Sequence, residues 1–103
     1  MNLPFYGGEK IRKVQDKKTG TWYYSVVDVI EFVTESKNPR GYWKVLKNRL
    51  QSVTGSRELV TECYQLKIEA QDGKMRLSDM ADQETIFRLI GHIPSKKVRN
   101  FFE

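Results

Sequence analysis

Cysteine and histidine are almost missing from this chain: Cys63 and His92 are the single representatives of each. A lone cysteine excludes an intrachain disulfide, and one thiol with one imidazole cannot furnish the ligand set of a structural zinc. Long apolar runs are missing too. None approaches the roughly 20 residues of a membrane-spanning helix, and the opening segment, Met1-Asn2-Leu3-Pro4-Phe5-Tyr6-Gly7-Gly8, lacks the charged start and apolar stretch of a secretion signal. These absences lead to the expectation of a soluble protein of the cytoplasm, with no membrane partner, no metal and no cofactor. No Gly-rich loop precedes a predicted helix, and no nucleophile, base and orienting group fall into a pattern. No catalytic residue is therefore assigned, and no enzymatic activity is expected.

Acid is missing from one long segment. Between Glu35 and Glu58 there is none, while Lys37, Arg40, Lys44, Lys47, Arg49 and Arg57 all fall there. The net charge of +5 is correspondingly uneven: residues 1–52 hold 10 Lys/Arg against 5 Asp/Glu, and residues 53–103 hold 8 of each. An acid-free basic segment attracts phosphates, and it is equally the form of a helix face that only meets water. The remaining composition is ordinary: 103 residues, 39% hydrophobic and 12% aromatic, fit one domain over residues 1–103 with a core of its own.

Periodicity gives an α+β fold in which two β-hairpins alternate with helix pairs. Residues 10–16 and 21–25 are rich in Ile, Val, Trp and Tyr around Lys17-Lys18-Thr19-Gly20, a hairpin pattern. Ser25-x-x-Asp28 opens a helix in which Val26, Val29, Ile30 and Val33 repeat at helical spacing, with Val27 and Phe32 widening the apolar surface. Asn38-Pro39 caps and starts a second helix reaching to about residue 51. One stripe of it carries Trp43, Leu46 and Leu50, continued by Val53, and another carries Arg40, Lys44, Lys47, Asn48 and Gln51. Residues 53–61 read as a connector with a turn of helix capped by Ser56. Tyr64, Leu66 and Ile68 alternate with polar residues ahead of Asp72-Gly73, the clearest hairpin in the chain. Ile86, Leu89, Ile90 and Ile93 form a further helix from Asp82, and Pro94-Ser95 leads into a last one carrying Val98, Phe101 and Phe102. With two aromatics beside the terminus and no stop signal, the chain is expected to be the N-terminal part of a longer protein.

The two helices over residues 26–51 have the form of a helix-turn-helix, which places its second helix in the major groove of DNA. On that reading Lys37, Arg40, Lys44 and Lys47 meet phosphates, while Asn48, Arg49 and Gln51 reach base edges, and Arg12, Lys13, Lys74 and Arg76 act from the hairpins as flanking wings. Exposed aromatics stack bases in single-strand binders, but Trp22, Tyr24 and Trp43 fall on apolar faces and are assigned to the core; Tyr23 and Tyr42 stay undetermined. Asp79, Asp82 and Glu84 lie where a strand passes into a helix and are assigned to capping and dipole pairing. Cys63 is expected to pack as a small hydrophobe, and His92 to favour a helix C-terminus.

Taken in order, Lys10-Ile11-Arg12-Lys13-Val14, Trp22-Tyr23-Tyr24-Ser25-Val26-Val27-Asp28-Val29-Ile30, Ser36-Lys37-Asn38-Pro39, Tyr42-Trp43 and Leu46-Lys47-Asn48-Arg49-Leu50 resemble the N-terminal domain of the BRO family, found in phage antirepressor-type and large DNA virus proteins. Gln65-Leu66-Lys67, Asp72-Gly73-Lys74, Arg76-Leu77-Ser78-Asp79, Ala81-Asp82, Arg88-Leu89-Ile90 and Ile93-Pro94-Ser95 continue the series over nearly the whole chain. The resemblance implies a double-stranded-DNA-binding module at the front of a prophage or viral regulatory protein, working in the bacterial cytoplasm or nucleoid. It also implies an alternative, in which the module grips a repressor protein or associates with itself. The family's last helix usually runs on beyond Phe101-Phe102-Glu103.

Overall fold

A computed structural model describes residues 11–52, 57–70 and 72–94. The fold is α+β: four antiparallel strands in the order β1-β2-β4-β3, with helices packed against them. The strands are β1 (Lys13–Gln15), β2 (Trp22–Ser25), β3 (Tyr64–Glu69) and β4 (Met75–Asp82). The helices are α1 (Val26–Thr34), α2 (Pro39–Ser52), α3 (Arg57–Thr61) and α4 (Gln83–Ile90).

Both hairpins form where the turn residues place them. Gly20, at φ 78°, and Gly73, at φ 82°, adopt the left-handed backbone that side-chain-bearing residues avoid. The pairing of the two hairpins with each other was not legible in the sequence. Tyr23, Tyr24 and Ser25 of β2 lie opposite Asp82, Ala81 and Met80 of β4, which makes one sheet of the four strands. Tyr24 and Ala81, directly opposed across that junction, are buried and give the sheet's share of the main core.

The helices complete this core as their spacing predicts. Val26, Val29, Ile30 and Val33 of α1, Trp43, Leu46 and Leu50 of α2, and Ile86, Leu89 and Ile90 of α4 are all buried. Ser25 accepts the Asp28 N–H at 3.3 Å, as the capping pattern requires. Asp28 does not return the bond. The Ser25 N–H is already spent on Arg12 O at 2.9 Å in the strand ladder, and the Asp28 carboxylate turns instead to Arg12, accepting from its backbone N–H at 2.9 Å and its Nε at 2.7 Å. Arg12 Nη1 also reaches Glu69 O at 3.1 Å. It thereby ties the start of one outer strand to the end of the other, and the sheet curls.

The turn of helix expected within the connector is α3, whose Leu59 is buried in the core; residues 53–56, including Ser56, lie outside the described residues. Two expectations need correction. Trp22 is not core: it is 41% exposed, because β2 is covered only toward Tyr24 and Ser25 and its other end projects with the hairpin. Lys13 Nζ lies 4.9 Å from the Trp22 ring, and that cation is the ring's companion. Between the hairpins stand three helices rather than the expected pair; the last predicted helix, which would pair with α4, falls at residues 95–103, outside the described ones.

Candidate nucleic-acid interface

The basic helix is built from its cap outward. Asn38 Oδ1 accepts the Gly41 N–H at 3.1 Å, Asn38 O accepts the Tyr42 N–H at 3.0 Å, and Pro39 takes the first helical position, where no N–H is needed. Gly41 belongs to this cap, since a Cβ at that position would run into the Asn38 side chain. The turn from α1 is made by Glu35, whose left-handed backbone at φ 57° closes α1 through its N–H to Glu31 O. Helix, four-residue turn and helix thus follow as the helix-turn-helix pattern anticipates.

Burial divides α2 sharply. Trp43, Leu46 and Leu50 are buried, while Arg40, Lys44, Asn48, Arg49 and Gln51 are exposed, as is Lys37 in the turn before it. No Asp or Glu occurs in the helix. Five of the predicted contact residues are therefore exposed on a helix that itself holds no acid, and Lys37 is exposed just before it. Val45, 65% exposed on the same side, was missed by sequence reasoning because it belongs to neither the apolar nor the basic stripe.

Lys47 is different. Its Nζ lies 3.1 Å from Asp79 Oδ2 and 5.5 Å from the Trp43 ring, and Trp43 Nε1 donates to the same Oδ2 at 2.6 Å. This corrects the assignment of Asp79 to capping, which its position three residues before the strand end does not permit. Asp79 anchors α2 to β4. Burial is the largest single influence on its carboxyl and acts to raise the pKa, but the bonds from Trp43 and Lys47, the charge of Lys47 and a bond from Gln65 together hold it below the ordinary carboxylate range. Asp82 does cap α4, accepting the Thr85 N–H at 2.9 Å, and Glu84 stands in the first turn of that helix.

The hairpin cations divide in the same way. Arg12, bound to Asp28 and Glu69, is a strut; its guanidinium is held in the charged form first by the hydrogen bond to Asp28. Arg76 pairs with Asp72 at 2.5 Å on the surface, and Lys74 is exposed beside it. Arg12, Lys13, Arg40 and Arg76 do meet along one open groove of about 990 Å³, together with Asp28, Glu31, Glu69 and Asp72. That groove has charges of both signs, whereas the outer face of α2 has one.

Cys63 packs partly buried against the core, its Sγ 3.4 Å from Leu59 O, and burial, followed by the nearby Asp79 charge, pushes its thiol up to about 12. His92 is exposed just past α4. Among the described residues no group of three His, Cys, Asp or Glu side chains could hold a metal ion, and no helix is long and apolar enough to cross a membrane.

No known family profile, characterised protein or solved structure matches this chain.

Proposed function

We propose that this chain is a module that binds double-stranded DNA by seating α2 in the major groove. The observation that carries the reading is the 14-residue helix whose outward side chains include Arg40, Lys44, Asn48, Arg49 and Gln51 with no acid among them. Arg40, Lys44 and Arg49 there meet phosphates, and Asn48 has the donor and acceptor groups that read a base edge. Lys37 extends the surface before the helix, and Lys13, Lys74 and Arg76 supply backbone contacts from the hairpins. Arg12 and Lys47 serve the interface by holding its frame. The BRO-like order of residues supports the same reading, in which the module is part of a prophage or phage-type regulatory protein of the bacterial cytoplasm or nucleoid.

Fluorescence anisotropy of a labelled duplex tests it. The expected result is saturable binding that unlabelled duplex reverses at lower concentration than single strand of the same sequence. No binding at low ionic strength, or equal competition by single strand, contradicts it.

A second reading is favoured by Met75 and Leu77, two residues apart on β4 and 59% and 61% exposed. Adjacent exposed apolar side chains on one side of a strand suit contact with a protein, a repressor or a second copy of this chain. Sedimentation over a concentration series, with Leu77→Lys beside the wild type, tests self-association. Association that Leu77→Lys abolishes supports it, and a monomer throughout removes it.

A further inference from the structure

Val45, at 65%, is the most exposed large hydrophobic side chain among the described residues. Single exposed apolar residues are ordinary, so the exposure alone decides nothing. Its position does. With Trp43, Leu46 and Leu50 turned to the core, helical spacing sets Gly41, Val45, Asn48 and Ser52 along the outermost ridge of α2. Arg40, Lys44 and Gln51 run along one shoulder of that ridge, and Arg49 lies on the other. The helix therefore presents an uncharged crest between cationic shoulders, which matches the section of a major groove: base edges on the floor, phosphates on both rims. A protein partner for the same crest would need acids on both sides of an apolar spot, whereas duplex DNA supplies that pattern along its whole length. Valine is also a poor choice for a helix position that packs against nothing, because its branched Cβ restricts the side chain there.

We infer that Val45 is the apolar base-reading contact of α2, packing against the C5-methyl group of a thymine in the major groove, with Asn48 one turn further on reading a neighbouring adenine. This rests on the duplex-binding reading above and adds sequence selectivity to it. The shoulders give affinity without regard to sequence. The crest chooses the site.

The test removes the methyl groups from either side of the contact, the one of thymine or the two of valine. Duplexes are selected from a randomised pool with the whole chain, and each thymine of the preferred site is then replaced in turn by deoxyuridine, which pairs identically but lacks the methyl. At one thymine the replacement should weaken the wild type about fourfold, the transfer free energy of one such group, and should leave Val45→Ala indifferent. Because Val45 is exposed and alanine is the better helix former, the variant keeps its fold, which circular dichroism verifies. Silent replacement at every thymine, an equal loss in Val45→Ala, or a bound pool with no preferred site overturns the assignment while DNA binding stands. If no duplex is retained at low salt, the DNA reading fails and the Val45 contact falls with it.

Discussion

Trp43 donates its indole N–H to the Asp79 carboxylate at 2.6 Å, joining the basic helix to a strand 36 residues further along the chain. Lys47 closes the arrangement at 3.1 Å, so one half-buried carboxylate holds both the aromatic anchor and a cation of the same helix. The orientation of the exposed face of α2 depends on that anchor.

Replacing Asp79 by alanine leaves the indole N–H and the Lys47 ammonium without their partner in a half-buried place, a loss of about 1 to 3 kcal/mol by urea denaturation. Lys47→Ala should also destabilise, whereas Lys44→Ala, on the exposed face, should stay within about 0.5 kcal/mol of the wild type. Equal effects of the two lysine changes would show that the Lys47 pair is not formed in solution.

The same carboxylate makes stability depend on pH in a defined direction. Its pKa is lower in the folded state than the ordinary value of about 3.9, so its contribution is complete above that value and is lost as pH falls through the folded pKa. Asp79→Asn removes this part of the dependence. Below about pH 4 the gap in stability between variant and wild type should narrow, measured by thermal unfolding over a pH series; a gap constant with pH speaks against it.

Arg12 is expected to act on the sheet rather than on a ligand. Its guanidinium fork holds Asp28 through Nε and Nη2 and reaches Glu69 O through Nη1, so lysine cannot reproduce it. Arg12→Lys and Arg12→Ala should both destabilise, by about 1 to 3 kcal/mol for the alanine change, with faster amide exchange in β3 as the local sign. Unchanged exchange in β3 would show that the strut does not hold the strand.

The two tryptophans should behave oppositely. Trp43 is 4% exposed and Trp22 41%. Trp43→Ala should cost about 3 to 5 kcal/mol or abolish folding, while Trp22→Ala should cost about 1 kcal/mol or less. Iodide quenching supplies a second readout, with removal of Trp22 eliminating most of the accessible fluorescence.

Cys63 should react slowly with iodoacetamide at neutral pH in the folded protein and quickly in urea. Its thiol is pushed up to about 12, so almost no thiolate is present until unfolding restores the ordinary value.

The extent to which the sequence foretold this structure follows from how local each cause is. The apolar spacing of Val26, Val29, Ile30 and Val33, the Asn38-Pro39 start and the two turn glycines act within a few residues, and each formed the element expected of it. The pairing of β2 with β4, the Arg12 bridge to Asp28 and Glu69, and the Asp79 anchor join residues far apart in the chain. Nothing in their neighbours marks them. Trp22 shows the converse error: alternation correctly set it on the Tyr24 side of the strand, but how far along the strand the core extends is decided by the helices above it. For the basic face, the sequence supplied the exposed Arg40, Lys44, Asn48, Arg49 and Gln51. It gave no reason to separate Lys47 and Arg12 from them, because a charged residue looks the same whether it meets water or a distant carboxylate.

The most direct test of the basic face is the slope of log affinity for a duplex against log salt, compared between the wild type and Arg40→Ala/Lys44→Ala/Arg49→Ala. If α2 lies against the phosphates, the variant should bind more weakly at low salt with a slope shallower by about 0.9 for each phosphate contact removed, and by no more than roughly 3 in all. A variant that folds normally and retains both the affinity and the slope of the wild type would contradict the seating of α2 on DNA.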